Sequence, residues 1–425
     1  MAIGNKYPIV MQNDHVADKP TQDLIKADTT AILKEVKGLK PKRYGYRMRN
    51  SEANSHTRVE YLYDAVGMQP ARMVYAENRF DFGDWGGIWF NRDNQPCMVR
   101  PDGSVAYWLD PNDYSKNAST GEPSDVANVE GNLNAMSAIP LCWVKRWQEG
   151  EYRYVVFCEE QYDETYEAFA HKRPDGSYSP FAFGPMFKGF MDPGGKLRSI
   201  SGVQPYSGKA AQAELDAAAL NGANWGIMTW AFWNLLHDLL VLMSKSTALQ
   251  EVYGEGRSAG GSSAADFLTM GTLNNKGPFY GFSDTTHPVK VFHMENFWAE
   301  RYDRLVGLIV DHGVYKARMW PDGGYNLTGE GYDTVGRGIF GASPAGGYVT
   351  ACRETPQGLI PEKLGGSSAT YDQDYHYFAN KTVSVPFVGG SCIDGSGCGR
   401  YLRVDNTAGD AGWRIGASLF LNNPS

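Results

Sequence analysis

The sequence predicts an α+β protein, in which two helices accompany a larger set of antiparallel strands. Residues 207–245 place apolar side chains at helical spacing, whereas residues 58–190 contain aromatic and β-branched runs separated by turn dipeptides. With 425 residues, the chain is long enough for two or three domains with cores of their own. We divide it into an N-terminal arm (residues 1–50), a β-rich domain (51–195) and a C-terminal domain (196–425).

The N-terminal arm contains one short amphipathic helix, predicted within residues 21–37. A helix of this length cannot bury its apolar face alone. We therefore predict an arm that attaches the chain to a partner or mediates oligomerisation, with a helix packed on the body of its own chain as the alternative. The apolar face consists of Leu24, Ile25, Ile32 and Val36.

The β-rich domain is predicted from four runs, which read GGIWF, PCMVRPDGSVAYWL, IPLCWVKRWQEGEYRYVVFC and EAFAHKRPDGSYSPFAF. Aromatic and β-branched residues are frequent in them, as is typical of strands. Dipeptides that end in glycine favour tight turns and hairpins between such strands. The predicted turns are Asp102-Gly103, Glu149-Gly150, Asp175-Gly176 and, later in the chain, His312-Gly313.

The predicted pair of helices opens the C-terminal domain. Its first helix has an alanine-rich face, and Gly222 stands where a left-handed C-terminal cap is expected. Thr229 is suited to cap the second helix. The apolar stripe of that second helix is too wide for a helix on the surface, so we expect it to pack against a sheet or another helix. The stripe consists of Trp230, Trp233, Leu236, Leu240 and Met243.

The composition argues against two classes of partner. The net charge of −8 and the scattered basic residues are unlike those of a nucleic-acid-binding protein, which neutralises phosphates with clustered Lys and Arg. The most apolar run, LLHDLLVLM, is interrupted by His237 and Asp238, so we expect no membrane insertion. The first residues lack the pattern of a secretory signal. No sequence motif indicates a bound cofactor.

The C-terminal stretch carries a resemblance to a known family. Residues 412–419, GWRIGASL, resemble the last strand of the C-type lectin-like fold in its formylglycine-generating-enzyme branch, and the helical pair resembles another landmark of that fold. The combination is similar to virion proteins of tailed phages, including receptor-binding proteins such as the major tropism determinant. The run VKRWQEGEYRYVVFC also resembles a β-region that precedes the lectin-like module in many phage structural proteins.

The resemblance implies an α+β C-terminal domain that binds a ligand through its last strands and loops. On this basis the protein is a virion component without enzymatic activity, a tail-fibre or tail-tip protein that binds a host-surface receptor, and a homotrimer. The alternative is a capsid spike, head fibre or decoration protein whose N-terminal arm binds other virion proteins. The expected ligand-binding residues are Tyr371, Asp372, Asp374, Tyr375, His376, Tyr377, Asp405, Asn406, Asp410 and Trp413.

The same resemblance leaves one enzymatic alternative, a formylglycine-generating copper oxidase. Cys392 and Cys398 lie close to where that family holds copper, but their spacing is one residue longer and their neighbours are Gly, Ser and Asp. Two ordinary thiols, or one local disulfide, are the competing interpretation. Asp372, Asp374 and Asp394 lack the full ligand series of a calcium site, and the histidines show no metal-binding spacing. We therefore predict no metal.

Overall fold

A computed structural model describes residues 40–341, 343–379, 383–400 and 402–423. The chain divides into two compact units, Met1–Pro41 and Lys42–Ser425. The predicted arm helix, with Leu24, Ile25, Ile32 and Val36, lies outside the described residues. All of the described strands and helices belong to the second unit.

The first half of this unit contains fourteen strands and three helices among the described residues. The strands are β1 (Tyr44–Arg49), β2 (Val59–Tyr63), β3 (Arg72–Val74), β4 (Arg79–Asp81), β5 (Gln95–Val99), β6 (Val105–Asp110), β7 (Asp113–Asn117), β8 (Asn134–Pro140), β9 (Trp143–Glu149), β10 (Tyr152–Cys158), β11 (Phe181–Pro185), β12 (Phe190–Met191), β13 (Leu197–Arg198) and β14 (Trp225–Ile227). The helices are α1 (Trp89–Arg92), α2 (Ala211–Ala219) and α3 (Trp230–Ser244).

The second half contains one further short helix and thirteen strands among the described residues. The helix is α4 (Leu249–Tyr253). The strands are β15 (Lys290–Val291), β16 (Met294–Glu295), β17 (Tyr302–Arg304), β18 (Leu308–Asp311), β19 (Val314–Ala317), β20 (Asp333–Arg337), β21 (Ala345–Thr355), β22 (Gly358–Leu364), β23 (Tyr375–Phe378), β24 (Phe387–Val388), β25 (Leu402–Val404), β26 (Ile415–Gly416) and β27 (Leu419–Leu421).

Three larger sheets organise these strands. The N-terminal sheet has four antiparallel strands in the order β2-β1-β10-β9. The central sheet has seven in the order β14-β27-β11-β8-β5-β6-β7, and the mixed sheet has seven in the order β22-β21-β23-β25-β24-β17-β26. Two pairs in the mixed sheet are parallel, β23 with β25 and β17 with β26. A three-stranded sheet, β18-β19-β20, and three short two-stranded pairings complete the described part.

The predicted α+β fold class is wrong, because the chain is mostly β. Strands make up 33% of the structure and helices 12%, with only four helices in the described residues. Part of the difference lies in residues 290–311, whose sequence has both strand and helix character. They form four short strands, and left-handed backbone at residues such as Phe292, Asn296 and Glu300 breaks any helix there.

The domain boundary predicted between residues 195 and 196 does not separate two compact units. Strand β27, from the end of the chain, pairs in the central sheet with β14 on one side and with β11 on the other. The central sheet therefore contains strands from both sides of that boundary. The first predicted boundary, at residue 50, falls just after β1, which is an inner strand of the N-terminal sheet.

The long helix α3 lies at the centre of the core, and all of its fifteen residues are buried. The Thr229 side chain accepts a hydrogen bond from the Phe232 N–H at 3.3 Å, which confirms the predicted cap. Phe232 packs on Phe420 of β27 with ring centroids 5.0 Å apart, and Trp233 packs on Phe297 at 4.6 Å. The prediction that this helix packs inside the fold is confirmed.

Most of the local predictions in the β-rich region are also confirmed. Asp102-Gly103 joins β5 to β6, Glu149-Gly150 joins β9 to β10, and His312-Gly313 joins β18 to β19. The GGIWF run is an exception, because it leads into the short helix α1 instead of forming a strand.

Buried ion pairs connect the first and last thirds of the chain beside α3. Asp238 of α3 accepts hydrogen bonds from Arg146 of β9 at 2.8 Å and from Arg400 at 2.9 Å. Asp372 lies between two other arginines, Arg58 at 3.2 Å and Arg153 at 3.0 Å. Each arginine balances a carboxylate that burial alone would disfavour.

Candidate functional site

Strand β23 presents two tyrosines on one face of the mixed sheet. Tyr375 and Tyr377 are half-buried, whereas His376 and Phe378 between and beside them are buried, which is the alternation of a strand with one solvated face. Strand β25 repeats the pattern, since half-buried Arg403 lies between two buried apolar residues. Tyr377 and Arg403 are direct partners in the parallel pairing of these strands, so they share the solvated face.

Aromatic contacts extend this face across neighbouring strands. Tyr348 of β21 packs edge-to-face on Tyr375 with ring centroids 5.1 Å apart, and Tyr375 lies 4.8 Å from Tyr377. The Arg403 guanidinium lies over the Tyr377 ring at 4.7 Å and over the Tyr302 ring of β17 at 5.6 Å. Such aromatic and cation–π contacts hold the side chains in fixed positions in the absence of a ligand.

The row ends at the residues just before β26. The Arg414 guanidinium lies 5.4 Å from the Tyr302 ring and 5.9 Å from the Trp413 ring. Trp413 in turn packs on buried Phe267 at 6.0 Å. We call the complete row the aromatic strip; it consists of Tyr348, Tyr375, Tyr377, Arg403, Tyr302, Arg414 and Trp413.

A concavity of about 170 Å³ lies at the Trp413 end of the strip. Its walls combine three aromatic rings with two guanidinium groups and an amide, and none of the described residues that line it is acidic. The lining residues are Tyr302, Phe387, Arg403, Asn406, Gly412, Trp413, Arg414 and Ile415.

The two arginines of the concavity have different partners. Arg403 donates from Nε and Nη2 to the two carboxylate oxygens of Asp405, at 2.6 and 2.8 Å. Among the described residues, Arg414 donates through Nη1 only, to Tyr302, Ser391 and Asp394 at 3.4 to 3.5 Å. Tyr302 is buried beneath both, and its pKa is raised by burial and next by Asp394, so its hydroxyl stays protonated.

Four of the predicted ligand-binding residues are either buried in the fold or hold the loop before β23 in place. Asp372 is buried between Arg58 and Arg153. Burial alone would raise the pKa of its carboxyl group, but the two arginines outweigh this effect and lower the pKa. His376 is fully buried, with its Nδ1 2.9 Å from the Leu402 carbonyl oxygen. Such groups hold the strand in place and cannot touch a ligand on the surface.

The other two residues of this loop have backbone partners. Asp374 accepts a hydrogen bond from the Arg400 N–H at 2.8 Å. Tyr371 has left-handed backbone, and its carbonyl oxygen accepts hydrogen bonds from Ser55 at 2.8 Å and Thr247 at 2.6 Å. Tyr371 thus fastens the loop before β23 to Ser55 and Thr247, and Asp374 connects it to the segment before β25.

Some of the predicted residues near the end of the chain line the concavity, whereas others stabilise a neighbouring side chain or a turn. Trp413 and Asn406 line the concavity. Asp405 holds Arg403, and Asp410 accepts a hydrogen bond from the Thr407 N–H at 2.6 Å, which closes a turn. Tyr375 and Tyr377 belong to the aromatic strip. The structure thus brings together Tyr375, Tyr377, Asp405, Asn406 and Trp413.

Sequence reasoning missed four members of the strip as ligand-binding residues. Tyr348 and Tyr302 lie 27 and 73 residues before Tyr375 in the chain, and no local pattern joins them to the predicted cluster. Arg403 had a visible signal, because it stands between Leu402 and Val404 as the polar residue of an alternating strand. Arg414 belongs to the stretch that suggested a family resemblance, where it served only as a marker of the fold.

The two cysteines of the copper alternative are buried free thiols. Burial raises the pKa of Cys392 to about 11 and that of Cys398 well above its usual range. Copper would need thiolates, which these surroundings disfavour. In the described residues, no group of three His, Cys, Asp or Glu is placed to hold a metal ion.

A larger polar groove of about 590 Å³ lies elsewhere on the surface. It is lined by Glu52, Glu251 and Glu255 together with small polar residues, and it contains no Phe, Tyr or Trp. The aromatic strip, in contrast, is rich in the residue types that dominate binding energy in interfaces. We therefore take the strip as the candidate site.

Comparison with known proteins gives no family for this chain: no family model and no curated protein matches it. No helix in the described ranges has the length and apolar character needed to cross a bilayer.

Proposed function

We propose that this chain is a virion protein of a tailed phage that binds a receptor on the host surface through the aromatic strip. One observation carries the binding part of the proposal. Four partly exposed aromatic rings and two arginines, joined through the buried ring of Tyr302 and brought from five separate chain segments, form one continuous row of contacts. The phage assignment rests on the resemblance of residues 412–419 and of the β-region to phage virion proteins.

The strip has the properties of a preformed binding surface. Tyr and Trp side chains lose little conformational entropy on binding, and here each ring is already held by a neighbour. Tyr377 is fixed by Arg403 and by Tyr375, and Trp413 rests on Phe267. The chain offers no cluster of nucleophile, base and orienting group in this row, so binding is the activity that it supports.

A binding experiment tests this function directly. The labelled protein is added to cells of the bacterium that the phage infects, and bound protein is measured by flow cytometry over a range of concentrations. Tyr377→Ala removes the centre of the strip and should weaken binding by at least about 1 kcal/mol, or about fivefold in Kd.

Tyr152→Ala is the matched control. Tyr152 is also a half-buried tyrosine on a strand, and Arg47 lies over its ring at 4.6 Å, much as Arg403 lies over Tyr377. It belongs to the N-terminal sheet, away from the strip residues in the strand order. Equal binding by wild type, Tyr377→Ala and Tyr152→Ala would remove the strip from the proposal.

The capsid alternative, with the protein as a spike, head fibre or decoration protein, is separated from the tail version by location. Residues 1–41 form a unit of their own, which favours an arm that can be removed without unfolding the rest. We expect a chain lacking residues 1–41 to unfold cooperatively but to be absent from particles. Electron microscopy of labelled particles then decides between tail and capsid, and incorporation of the truncated chain would contradict the attachment role.

A further inference from the structure

We infer that the concavity at the Trp413 end of the strip binds an acidic saccharide, with the carboxylate of the sugar held by Arg414. This inference rests on the proposed function, since it names the class of ligand that the strip recognises. It depends on a difference between two arginines in the same concavity: Arg403 is paired with a carboxylate through two nitrogens, and Arg414 is not.

Arg403 shows how a guanidinium in this setting holds a carboxylate. Its Nε and Nη2 donate to the two oxygens of Asp405 at 2.6 and 2.8 Å, a bidentate pair. The corresponding edge of Arg414 is not used: among the described residues, its Nε and Nη2 donate to no acceptor. Only Nη1 has partners, and the closest charged one, Asp394, is 3.5 Å away.

The Arg414 side chain is also accessible. It keeps 26% of its surface exposed, compared with 20% for Arg403. Asp394 is turned to other donors, because its Oδ2 accepts hydrogen bonds from the N–H and the hydroxyl of Ser391, at 2.8 and 2.5 Å. A partly exposed guanidinium in a concavity whose described lining residues include no acid attracts an anion, even though the chain as a whole carries a net charge of −8.

The rest of the concavity favours a sugar ring over the short acidic side chain of a protein. Trp413 offers an apolar face to a ring, and Asn406 offers an amide to hydroxyl groups. The Asn406 Nδ2 donates to Asp405 at 2.7 Å, while in the described residues its Oδ1 accepts no hydrogen bond. A volume of about 170 Å³ is below the 300 Å³ or so of the smaller drug-sized sites, which suits a single ring.

The test compares sugars that differ at C6, where a carboxylate takes the place of a neutral hydroxymethyl group. Binding of methyl glucuronide and methyl glucoside to the full chain is measured by titration calorimetry and saturation-transfer NMR. Methyl galacturonide and N-acetylneuraminic acid extend the acidic set to other ring geometries. We expect at least one acidic sugar to bind, at least about tenfold more tightly than its neutral counterpart, because the carboxylate adds charge-assisted hydrogen bonds.

Arg414→Gln should reduce that affinity to the neutral level, and Arg414→Lys should give an intermediate loss because it keeps the charge without the bidentate edge. Arg79→Gln, at an exposed arginine paired with Glu77, is the control and should change nothing. If Arg414→Gln failed to fold, the lysine variant would still have to show the partial loss.

Three results would overturn the inference: no acidic sugar binding, equal binding of acidic and neutral sugars, or full affinity in both Arg414 variants. N-acetylaspartate binding as tightly as the best sugar would point instead to an acidic peptide and would also overturn it. The host-cell assay keeps the two proposals apart. Loss of cell binding in Tyr377→Ala but not in Arg414→Gln would leave the receptor function and remove the acidic saccharide.

Discussion

Glu354, near the end of β21, is a buried carboxyl whose charge state should control part of the stability. Burial and next the Asp238 carboxylate raise its pKa to about 7, against the lowering effect of Arg153, Arg146 and Arg400. Among the described residues, its Oε1 has no hydrogen-bond partner. The folded state therefore favours the neutral acid.

The sign of the pH dependence is set by this shift. Because the folded-state pKa exceeds the ordinary value of about 4.3, the contribution of Glu354 is fully present below about pH 4 and is lost as the pH rises through about 7. Glu354→Gln keeps a neutral group at every pH. We expect its free energy of unfolding, relative to wild type, to increase between pH 5 and pH 8, by at most about 1.4 kcal/mol per pH unit.

Urea unfolding of both proteins at several pH values measures this difference. Glu122→Gln, which removes an exposed carboxylate, gives the reference for the general loss of one negative charge. A Glu354→Gln difference that stayed constant from pH 5 to pH 8, or fell, would show that Glu354 is ionised in the folded protein throughout.

At the same scale, the sequence indicated about half of the candidate site. The predicted ligand-binding cluster includes Tyr375 and Tyr377, and the structure places both on one face of β23. The predicted cluster also contains two buried residues: Asp372 lies between Arg58 and Arg153, and His376 contacts the Leu402 carbonyl oxygen. Composition can suggest a polar, aromatic loop, but it does not say which side chains face the interior.

Among the secondary-structure elements, helix α3 allows a direct test of how much its N-terminal cap contributes to stability. Thr229 caps this helix from a buried position, and its hydroxyl accepts the Phe232 N–H at 3.3 Å. Thr229→Ala leaves that N–H without an acceptor and should lower the free energy of unfolding by about 1–2 kcal/mol. Thermal or urea unfolding monitored by circular dichroism gives the value.

Thr229→Ser is the matched variant, since it keeps the hydroxyl and loses only a methyl group. We expect it to retain more of the stability than the alanine variant, because serine caps helices at least as well as threonine. If both variants lost the same amount, the methyl contact and not the cap would be the source of the stability.

Elements were predictable where one local cause decides them. The capping threonine and the wide apolar stripe determined α3, and glycine-ending turns determined three hairpins. Gly222 shows the limit of such reasoning. Its φ is +139°, but α2 ends at Ala219 and its C-cap residue, Leu220, is right-handed, so Gly222 is not the C-cap of α2. A Cβ at this position would lie 2.6 Å from the Pro101 carbonyl oxygen, a contact with a distant turn that no local pattern reveals.

At the scale of the whole molecule, the missing domain boundary has a physical explanation. Hydrophobic periodicity tells which face of a strand is buried, but not which strand lies beside it. Phe183 of β11 pairs with Leu421 of β27, residues that are separated by most of the C-terminal half. The same holds for the ion pairs of α3, whose Arg146 and Arg400 come from opposite sides of the predicted boundary.

This arrangement predicts that residues 196–425 do not fold alone, whereas residues 42–425 do. Without the first part of the chain, β27 loses its neighbour β11, and Asp372 loses both Arg58 and Arg153. Removing the partners of a buried carboxylate typically costs about 3–5 kcal/mol, and the exposed sheet edge adds to the loss.

Both fragments are expressed and compared by thermal unfolding and by amide hydrogen exchange. We expect a cooperative transition and protected amides only for residues 42–425. A fragment of residues 196–425 that unfolded cooperatively with protected amides would restore the two-domain division and would show that the shared sheet is not required for folding.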